Sequence, residues 1–263
     1  MIIKKSPAEI DQMAAAGEIL VRTMDLLAGK IRPGVTTLEL DAAAEKFIRS
    51  QGATPAFKGY RGFPGSICAS PNDMVVHGIP GKFKLNRGDI LSVDIGVVKD
   101  GWVADAARTF PVGDVSAVAG KLLDVTEGAL FAAVEQCRAG NRLGDVSNAV
   151  QKHVESQGLS IVRSLVGHGI GRDMHEEPQI PNYGPAGKGT PLEEGMVLAV
   201  EPMVNAGRHM VRMGDDGWSI YSQDGSLAAH FEFTIAITAD GPRILTPWHH
   251  PEASASDSTH AAA

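Results

Sequence analysis

Cysteine is scarce in this sequence, which has two in 263 residues, Cys68 and Cys137. Two cysteines cannot supply the disulfide framework on which small secreted domains depend. The first thirteen residues also lack the long apolar core of a secretion signal. These absences predict a cytoplasmic protein.

Long apolar runs and an excess of basic residues are missing as well. No run approaches the roughly 20 apolar residues that a membrane-spanning helix needs. Lys and Arg together number 24 against 31 Asp and Glu, which gives a net charge of −7. Because nucleic-acid binding depends on neutralising phosphates with basic side chains, we expect neither a nucleic acid nor a membrane as partner.

Charged residues make up only 21% of the chain, and hydrophobic residues make up 43%. Such a chain can bury a substantial core. No linker rich in Pro, Gly and Ser separates halves of different composition. We therefore expect a single domain over residues 1–248, and we interpret the small polar residues 249–263 as a disordered tail.

Four helices are predicted from capping signals and helical apolar spacing. Ser6-Pro7-Ala8-Glu9 is a capping box with proline at the first helical position, and it starts the first helix. The other helices are predicted over residues 37–50, 116–138 and 143–157. Residues 52–81 are dense in Gly, Pro and Asn, which predicts short strands and loops, and the rest of the chain is predicted as strands.

Two blocks of the sequence repeat at a nearly constant offset. Identical residues within 32–52 recur within 138–158, 106 positions later, and residues within 85–94 recur within 192–201, 107 positions later. The second block aligns Asp94 with Glu201, and each of them ends an apolar strand. The repeat predicts that the domain consists of two related halves.

Asp94 and Asp105 interrupt an otherwise apolar stretch over residues 90–110. If Asp100 and Gly101 form a two-residue turn, Asp94 lies opposite Ala107, and Asp105 is two residues away on the same face of the hairpin. Carboxylates this close raise one another's pKa unless a cation lies between them. The alternative is that one aspartate faces solvent at the end of the hairpin.

The second half of the chain adds three further candidate ligands. His168 lies in a glycine-rich loop, Glu201 ends an apolar strand, and Glu232 is placed within another apolar strand. Each residue alone is compatible with a structural or solvent-facing role. With the two aspartates, however, they supply four carboxylates and one imidazole, which suffice for two metal ions that share bridging carboxylates.

In type, order and spacing, these five residues resemble the metal ligands of the methionine aminopeptidases. The motifs "VVHGIP", "GHGIGRDMHEEPQIPNY" and "GMVLAVEP" also resemble that family, and the short spacing between them resembles the short bacterial type I form. The resemblance implies an α/β pita-bread fold, with pseudo-twofold symmetry and an antiparallel sheet covered by helices. It also implies removal of an N-terminal methionine that precedes a small residue.

The resemblance implies specific roles for individual residues. The metal ligands would be Asp94, Asp105, His168, Glu201 and Glu232, holding two divalent ions from among Co, Mn, Fe and Zn. Glu201 would also transfer a proton, His175 would stabilise the tetrahedral oxyanion, and His77 would contact the scissile amide. A monovalent cation near Asn72 and Met74 is implied as well.

The resemblance also implies a substrate pocket that suits an unbranched thioether. Its residues would be Tyr60, Phe63, Cys68, His77, Met174, His175 and Trp218. Three positions depart from the family pattern: Met174 stands where phenylalanine is usual, His230 where we expect glutamine, and Phe233 where we expect histidine.

The implied partners are the N-termini of nascent polypeptides and the ribosome, and the implied oligomeric state is a monomer. Two other functions remain open on the sequence. One is a metallo-aminopeptidase of broader or proline-directed specificity on the same fold. The other is a binding module without catalysis, which typically lacks part of the ligand set.

Overall fold

The computed structural model describes residues 1–248, so the predicted tail over 249–263 lies outside the described residues. The helices are α1 (Pro7–Ala28), α2 (Thr37–Ser50), α3 (Ala117–Val134) and α4 (Leu143–Ser156). Among residues 1–248, none of these helices combines the length and the hydrophobicity of a membrane span.

The first two helices begin at capping boxes. The Ser6 hydroxyl accepts a hydrogen bond from the Glu9 amide, and the Glu9 carboxylate accepts one from the Ser6 amide at 2.8 Å. Thr36 and Glu39 make the same pair of bonds at the start of α2. The predicted start of α1 and both predicted ends of α2 are confirmed, because these signals act within one turn of helix.

Helix α3 is shorter than predicted, ending at Val134 and not near residue 138. The amides of Gln136 and Cys137 bond to carbonyls three residues back, at 2.9 and 3.0 Å, so the chain tightens into turns there. The Asn141 side chain then donates to the Gln136 carbonyl at 3.0 Å. Apolar spacing alone does not register this change of hydrogen bonding.

The strands are short and, among the described residues, all of their pairings are antiparallel. A single turn of 3₁₀ helix lies at Tyr60–Gly62. The strands are β1 (Thr54–Pro55), β2 (Cys68–Pro71), β3 (Met74–Val76), β4 (Ile90–Lys99), β5 (Trp102–Pro111), β6 (Ser160–Ile161), β7 (Val166–Gly169), β8 (Glu176–Pro181), β9 (Val197–Val200), β10 (Met203–Asn205), β11 (Val211–Met213), β12 (Ile220–Ser222), β13 (Ala228–His230), β14 (Phe233–Thr238) and β15 (Gly241–Ile244).

Two sheets form the centre of the molecule. In one, β4 pairs with β5 on one side and with β1 and β2 on the other, and the second has the order β15-β14-β9-β7-β8. Helix α1 packs on β4 and β5, α3 packs on α4, and β14 contacts β5 where the sheets meet. The apolar core lies between helices and sheets, so the predicted mixed fold with antiparallel sheets covered by helices is confirmed.

The repeat found in the sequence recurs in the hydrogen bonding. Two backbone hydrogen bonds at the start of α2 have counterparts at the start of α4. In each counterpart the donor residue lies 106 positions later in the chain, and the acceptor residue lies 107 positions later. The pairs are Gly34 N–H to Leu85 O (2.7 Å) with Gly140 N–H to Leu192 O (3.1 Å), and Thr37 N–H to Phe83 O (3.1 Å) with Leu143 N–H to Thr190 O (3.0 Å).

Candidate active site

The hairpin of β4 and β5 presents the two aspartates. Asp100 and Gly101 occupy the turn with φ of 51° and 77°, the left-handed conformation of a two-residue hairpin loop. Asp94 pairs with Ala107, and Asp105 pairs with Gly96. The predicted register is therefore confirmed, and both carboxylates lie on the same face.

Hydroxyl groups hold β5 to the chain segment around Glu232. Thr234 Oγ1 donates to the Asp105 carbonyl at 2.7 Å and accepts from the Asp105 amide at 3.0 Å. Thr109 Oγ1 makes the equivalent pair of bonds to the backbone of His230, both at 2.9 Å. These reciprocal bonds fix the backbone at Asp105, a candidate ligand, and at His230, two residues before the candidate ligand Glu232.

Glu232 lies between β13 and β14, so the prediction that it lies within a strand is wrong. Its amide donates to the Ala107 carbonyl at 2.9 Å, and its carbonyl accepts from Trp248 Nε1 at 3.2 Å. Because its backbone groups bond to β5 and to a tryptophan, the strand is interrupted there, and the side chain lies buried near the aspartates.

His168 lies in β7, so the expectation of a loop is also wrong. Its Nδ1 donates to the Gly169 carbonyl at 2.9 Å, which leaves the Nε2 lone pair 3.6 Å from Glu201 Oε1. A side chain at Gly167 would approach the Ala199 carbonyl to 2.4 Å, so glycine allows β7 to lie against β9. Glu201 directly follows β9.

Burial raises the pKa of all four candidate carboxylates in the absence of a cation, and repulsion from neighbouring carboxylates raises it further at Asp105, Glu201 and Glu232. Burial raises the pKa of Asp94 to about 7. Burial, then repulsion from Asp94, raises the pKa of Asp105 and of Glu201 well above their usual range. For Glu232, burial and repulsion from Asp105 act in the same direction. Burial lowers the pKa of His168 to about 4, so its imidazole is neutral at pH 7.

These residues fit a divalent metal. One oxygen each of Asp94, Asp105 and Glu232 is buried without a hydrogen-bond partner among residues 1–248. Ligand atoms of Asp105, His168 and Glu232 all lie within 4.8 Å of one another. A cation would neutralise the repelling carboxylates and bind the unpartnered oxygens together with a neutral imidazole.

A cavity of about 190 Å³ ends on this cluster. Its apolar side is formed by aromatic and sulfur-containing side chains, with Phe63 edge-on to Trp218 at 5.2 Å between ring centroids. The lining comprises Phe57, Tyr60, Arg61, Phe63, Cys68, His77, Asp94, Asp105, His168, Met174, His175, Glu201, Trp218 and Glu232. Every residue predicted for metal, catalysis or substrate is therefore brought together here.

Two lining residues, Phe57 and Arg61, were not predicted for the site. Arg61 has a φ of 48° within a turn bounded by Gly59 and Gly62, and its guanidinium lies over the Tyr60 ring. The "GYRG" stretch signals such a turn, but not the direction of its side chains. Phe57 belongs to the same apolar cluster as Met174.

Both predicted accessory histidines line the cavity. Tyr60 Oη lies 2.8 Å from His175 Nδ1, and the rings of His175 and His168 are 4.3 Å apart between centroids. His77 has a φ of 59°, a strained conformation for a residue with a side chain. The amide of the next residue, Gly78, donates to Ser70 Oγ at 3.0 Å.

The three departures from the family pattern lie in different surroundings. Met174 is buried in the cavity wall. His230 is buried with its Nε2 3.7 Å from Glu201 Oε2 and 3.9 Å from Glu232 Oε2, and burial lowers its pKa to about 3. Phe233 lies in the core, with its ring 4.6 Å from the Trp248 ring.

Asn72 and Met74, the residues predicted for a monovalent cation, do not line the cavity. The Asn72 carbonyl accepts from the Ala228 amide at 2.9 Å, and its side chain bonds to Asp89 at 3.0 Å.

A cleft that ends on a buried cluster of carboxylates and imidazole is the kind of site that a metal-dependent hydrolase needs. The chain belongs to metallopeptidase family M24, whose model matches residues 11–239, and within it to the methionine aminopeptidases of the short bacterial type I form. The resemblance predicted from sequence is confirmed.

Individual relatives match over nearly the whole chain. The chain is 53% identical to the methionine aminopeptidase of Clostridium perfringens and 52% identical to methionine aminopeptidase 1 of Bacillus subtilis, in each case over 94% of this chain and 99% of the relative. The crystal structure of methionine aminopeptidase from Rickettsia prowazekii superposes with a TM-score of 0.92 at 42% identity, covering 94% of this chain and 100% of that one. The predicted pita-bread fold is confirmed.

Proposed function

We propose that this protein removes the N-terminal methionine from peptides and nascent polypeptides whose second residue is small. The observation that carries the proposal is the small apolar cavity that ends on the metal-binding cluster. A cavity of this size accepts one side chain, and it would place the bond that follows the first residue beside the carboxylates.

We propose that Asp94, Asp105, His168, Glu201 and Glu232 hold two divalent ions, taken from Co, Mn, Fe and Zn. Such ions supply Lewis acidity, which polarises the scissile carbonyl and makes water a better nucleophile. His168 is suited to this role, because its Nδ1 proton is donated to the Gly169 carbonyl, which leaves the free electron pair of Nε2 to coordinate a metal.

Glu201 is the proposed proton carrier of the reaction. Its carboxylate is near His168 Nε2 at the closed end of the cavity. In this position it would accept a proton from the attacking water and pass it to the leaving amine. His77, presented at the cavity wall, would contact the scissile amide and the substrate backbone.

His175 is the proposed oxyanion donor. If the Tyr60 hydroxyl donates to Nδ1, the proton of the neutral imidazole is on Nε2. That N–H group is then available to the developing oxyanion, and such preorganised donors typically contribute ~10²–10³ in rate. Tyr60 would thus set the tautomer of His175 in addition to forming part of the pocket.

Methionine selectivity is proposed to come from the apolar side of the cavity. Phe63, Cys68, Met174 and Trp218 surround a space that suits an unbranched thioether. Met174 is itself flexible, so it would adapt to neighbouring side chains more readily than an aromatic ring. We therefore expect the Met174 side chain to affect the preference of the pocket for methionine over leucine.

The remaining features of the proposal concern the whole protein. Residues 1–248 would form one catalytic domain of two related halves, acting as a monomer in the cytoplasm and on chains that emerge from the ribosome. A monovalent cation would bind near Asn72 and Met74.

The test is methionine release from Met-Ala-Ser, compared with Met-Leu-Ser and Leu-Ala-Ser. The protein is first stripped with a chelator, and Mn, Fe, Co or Zn is then added back. Release from Met-Ala-Ser alone, and only with metal, is the expected result. Efficient cleavage of Leu-Ala-Ser would indicate a broader aminopeptidase, and no cleavage with any metal would favour a binding module.

A further inference from the structure

A buried ion pair lies directly beside His175. Lys5 Nζ is 2.5 Å from Glu176 Oε2, and the two side chains are 2% and 5% exposed. Glu176 follows His175 in the chain, whereas Lys5 precedes α1. The pair therefore connects the start of the chain to the segment that carries the proposed oxyanion donor.

Glu176 also organises the backbone on the other side of His175. Its second oxygen, Oε1, accepts hydrogen bonds from the amides of Arg172 and Asp173 at 2.9 and 3.4 Å. One carboxylate thus closes the turn over residues 171–176, which we call the His175 turn. Met174 and His175 lie between its ends and line the cavity.

Lys5 is itself fixed by the backbone. Its ammonium group donates to the Ile3 carbonyl at 2.9 Å, and its amide donates to the Gly195 carbonyl at 2.7 Å. The fit around it is close, since a Cβ at Gly171 would lie 2.4 Å from Lys5 Cε and 2.5 Å from Glu176 Oε1. The absence of a side chain at residue 171 therefore lets the ion pair lie directly against the backbone of the His175 turn.

The Lys5–Glu176 ion pair is better explained by a role in positioning the backbone than by a contribution to the stability of the fold. Desolvation cancels much of the attraction in a buried ion pair, so such a pair contributes little net stability, although removal of one partner is costly. An ion pair with fixed geometry does, however, set the position of both backbones. Here one of those backbones is the His175 turn.

We propose that Lys5 is a positioning residue for the reaction: through Glu176 it holds the His175 turn so that the imidazole remains against Tyr60 and His168. This inference rests on the proposed function of His175 as an oxyanion donor. Lys5 touches neither the cavity nor the candidate ligands, so its effect is exerted through the turn.

The chain offers a matched control for a Lys5 variant. Lys4 also forms an ion pair, with Glu193, but both of those side chains are 51% exposed. Lys5→Met retains the aliphatic stem and removes the charge, Lys4→Met does the same at the surface, and Lys5→Arg restores a cation. We expect Lys5→Met to lower kcat on Met-Ala-Ser about 10- to 100-fold with KM nearly unchanged, Lys5→Arg to recover part of the loss, and Lys4→Met to match wild type.

A double-mutant cycle separates positioning from general damage. If Lys5 acts through His175, Lys5→Met should lower kcat in the wild-type background and have no further effect in His175→Ala. An equal loss in both backgrounds, or an unchanged kcat in Lys5→Met, would overturn the proposal. Should Lys5→Met fail to fold, Glu176→Gln retains an oxygen for the amides of the turn and removes the charge.

A second readout does not depend on activity. The Cε1–H resonance of His175 in the zinc-loaded protein, identified by its absence in His175→Ala, should shift in Lys5→Met and not in Lys4→Met. An unshifted resonance in Lys5→Met would refute the positioning role. Inactivity of the wild type with every metal would instead refute the proposed function, and the resonance would still test the position of the turn.

Discussion

The histidine side chains in the site differ in whether another group of the protein forms a hydrogen bond with the ring. His168 donates from Nδ1 to a backbone carbonyl, which determines its tautomer and frees Nε2. His230 is equally buried, yet neither of its nitrogens has a hydrogen-bond partner among residues 1–248. The orientation of His168 is therefore set by a side-chain hydrogen bond before any metal binds, whereas the His230 ring has no such bond.

At the residue scale, Asp105→Asn should abolish metal binding and activity together. An asparagine amide carries no negative charge and is a weaker ligand for a divalent ion than the Asp105 carboxylate that we propose as a ligand. Metal content by atomic emission, measured beside peptide cleavage, is the direct check.

The control for that experiment is His175→Ala, which should lower turnover by ~10²–10³ while leaving metal content nearly unchanged. Loss of metal from the His175 variant would identify this residue as a ligand and contradict its assigned role. Full metal content in Asp105→Asn would contradict the proposed ligand set.

At the scale of elements, the β4–β5 hairpin depends on a turn that few residues can form. Gly101 has a φ of 77°, and its carbonyl accepts from Arg172 at 3.3 Å. The guanidinium of Arg172 lies 3.8 Å from the centre of the Trp102 ring. The side chain of Arg172 thus joins the tip of this hairpin to the His175 turn.

The same substitution should have opposite effects at two glycines. Gly101→Ala should lower the free energy of unfolding by roughly 1–2 kcal/mol, because a side chain at positive φ is strained. Gly120→Ala in α3 should raise it by roughly 0.5–1 kcal/mol, because alanine favours a helix and nothing lies within 4 Å of the new methyl group. Urea denaturation measures both, and a loss of stability at Gly120 would contradict the helical position assigned to it.

At the scale of the whole molecule, the buried carboxylates make stability depend on metal and pH. The folded-state pKa of Asp94 is raised from 3.8 to about 7 in the metal-free protein. Between these values the unfolded chain loses a proton that the folded chain keeps. The free energy of unfolding of the metal-free protein therefore falls as pH rises through this window, by up to roughly 4 kcal/mol from this group.

Metal removal should consequently lower the melting temperature more at pH 7.5 than at pH 5.5. Bound metal takes the place of the protons, so the metal-loaded protein avoids the penalty that the metal-free protein suffers at higher pH. Calorimetry with manganese and with a chelator gives, at each pH, the difference in melting temperature between the metal-loaded and the metal-free protein. A difference that is equal or smaller at pH 7.5 would contradict the prediction. In Asp105→Asn the melting temperatures with manganese and with a chelator should differ little at either pH.

The sequence by itself determined the elements whose signals are local. The capping box at Ser6 predicted the start of α1, and the Asp100-Gly101 turn predicted the hairpin register and the shared face of Asp94 and Asp105. The repeated blocks of sequence lie where matched backbone hydrogen bonds precede α2 and α4, and the quoted motifs predicted the family. Each of these follows from residues close together in the chain or from a recurring pattern.

Only the tertiary structure decided the environment of each side chain. It ended α3 at Val134, moved Glu232 out of a strand, placed Arg61 in the cavity wall, and joined Lys5 to Glu176 across the molecule. The end of α3 depends on hydrogen bonds between nearby residues that apolar spacing does not register, whereas the positions of Glu232 and Lys5 depend on contacts between residues far apart in the chain. Local propensity carries no information about them, because a side chain's pKa and partners are set by what folding brings against it.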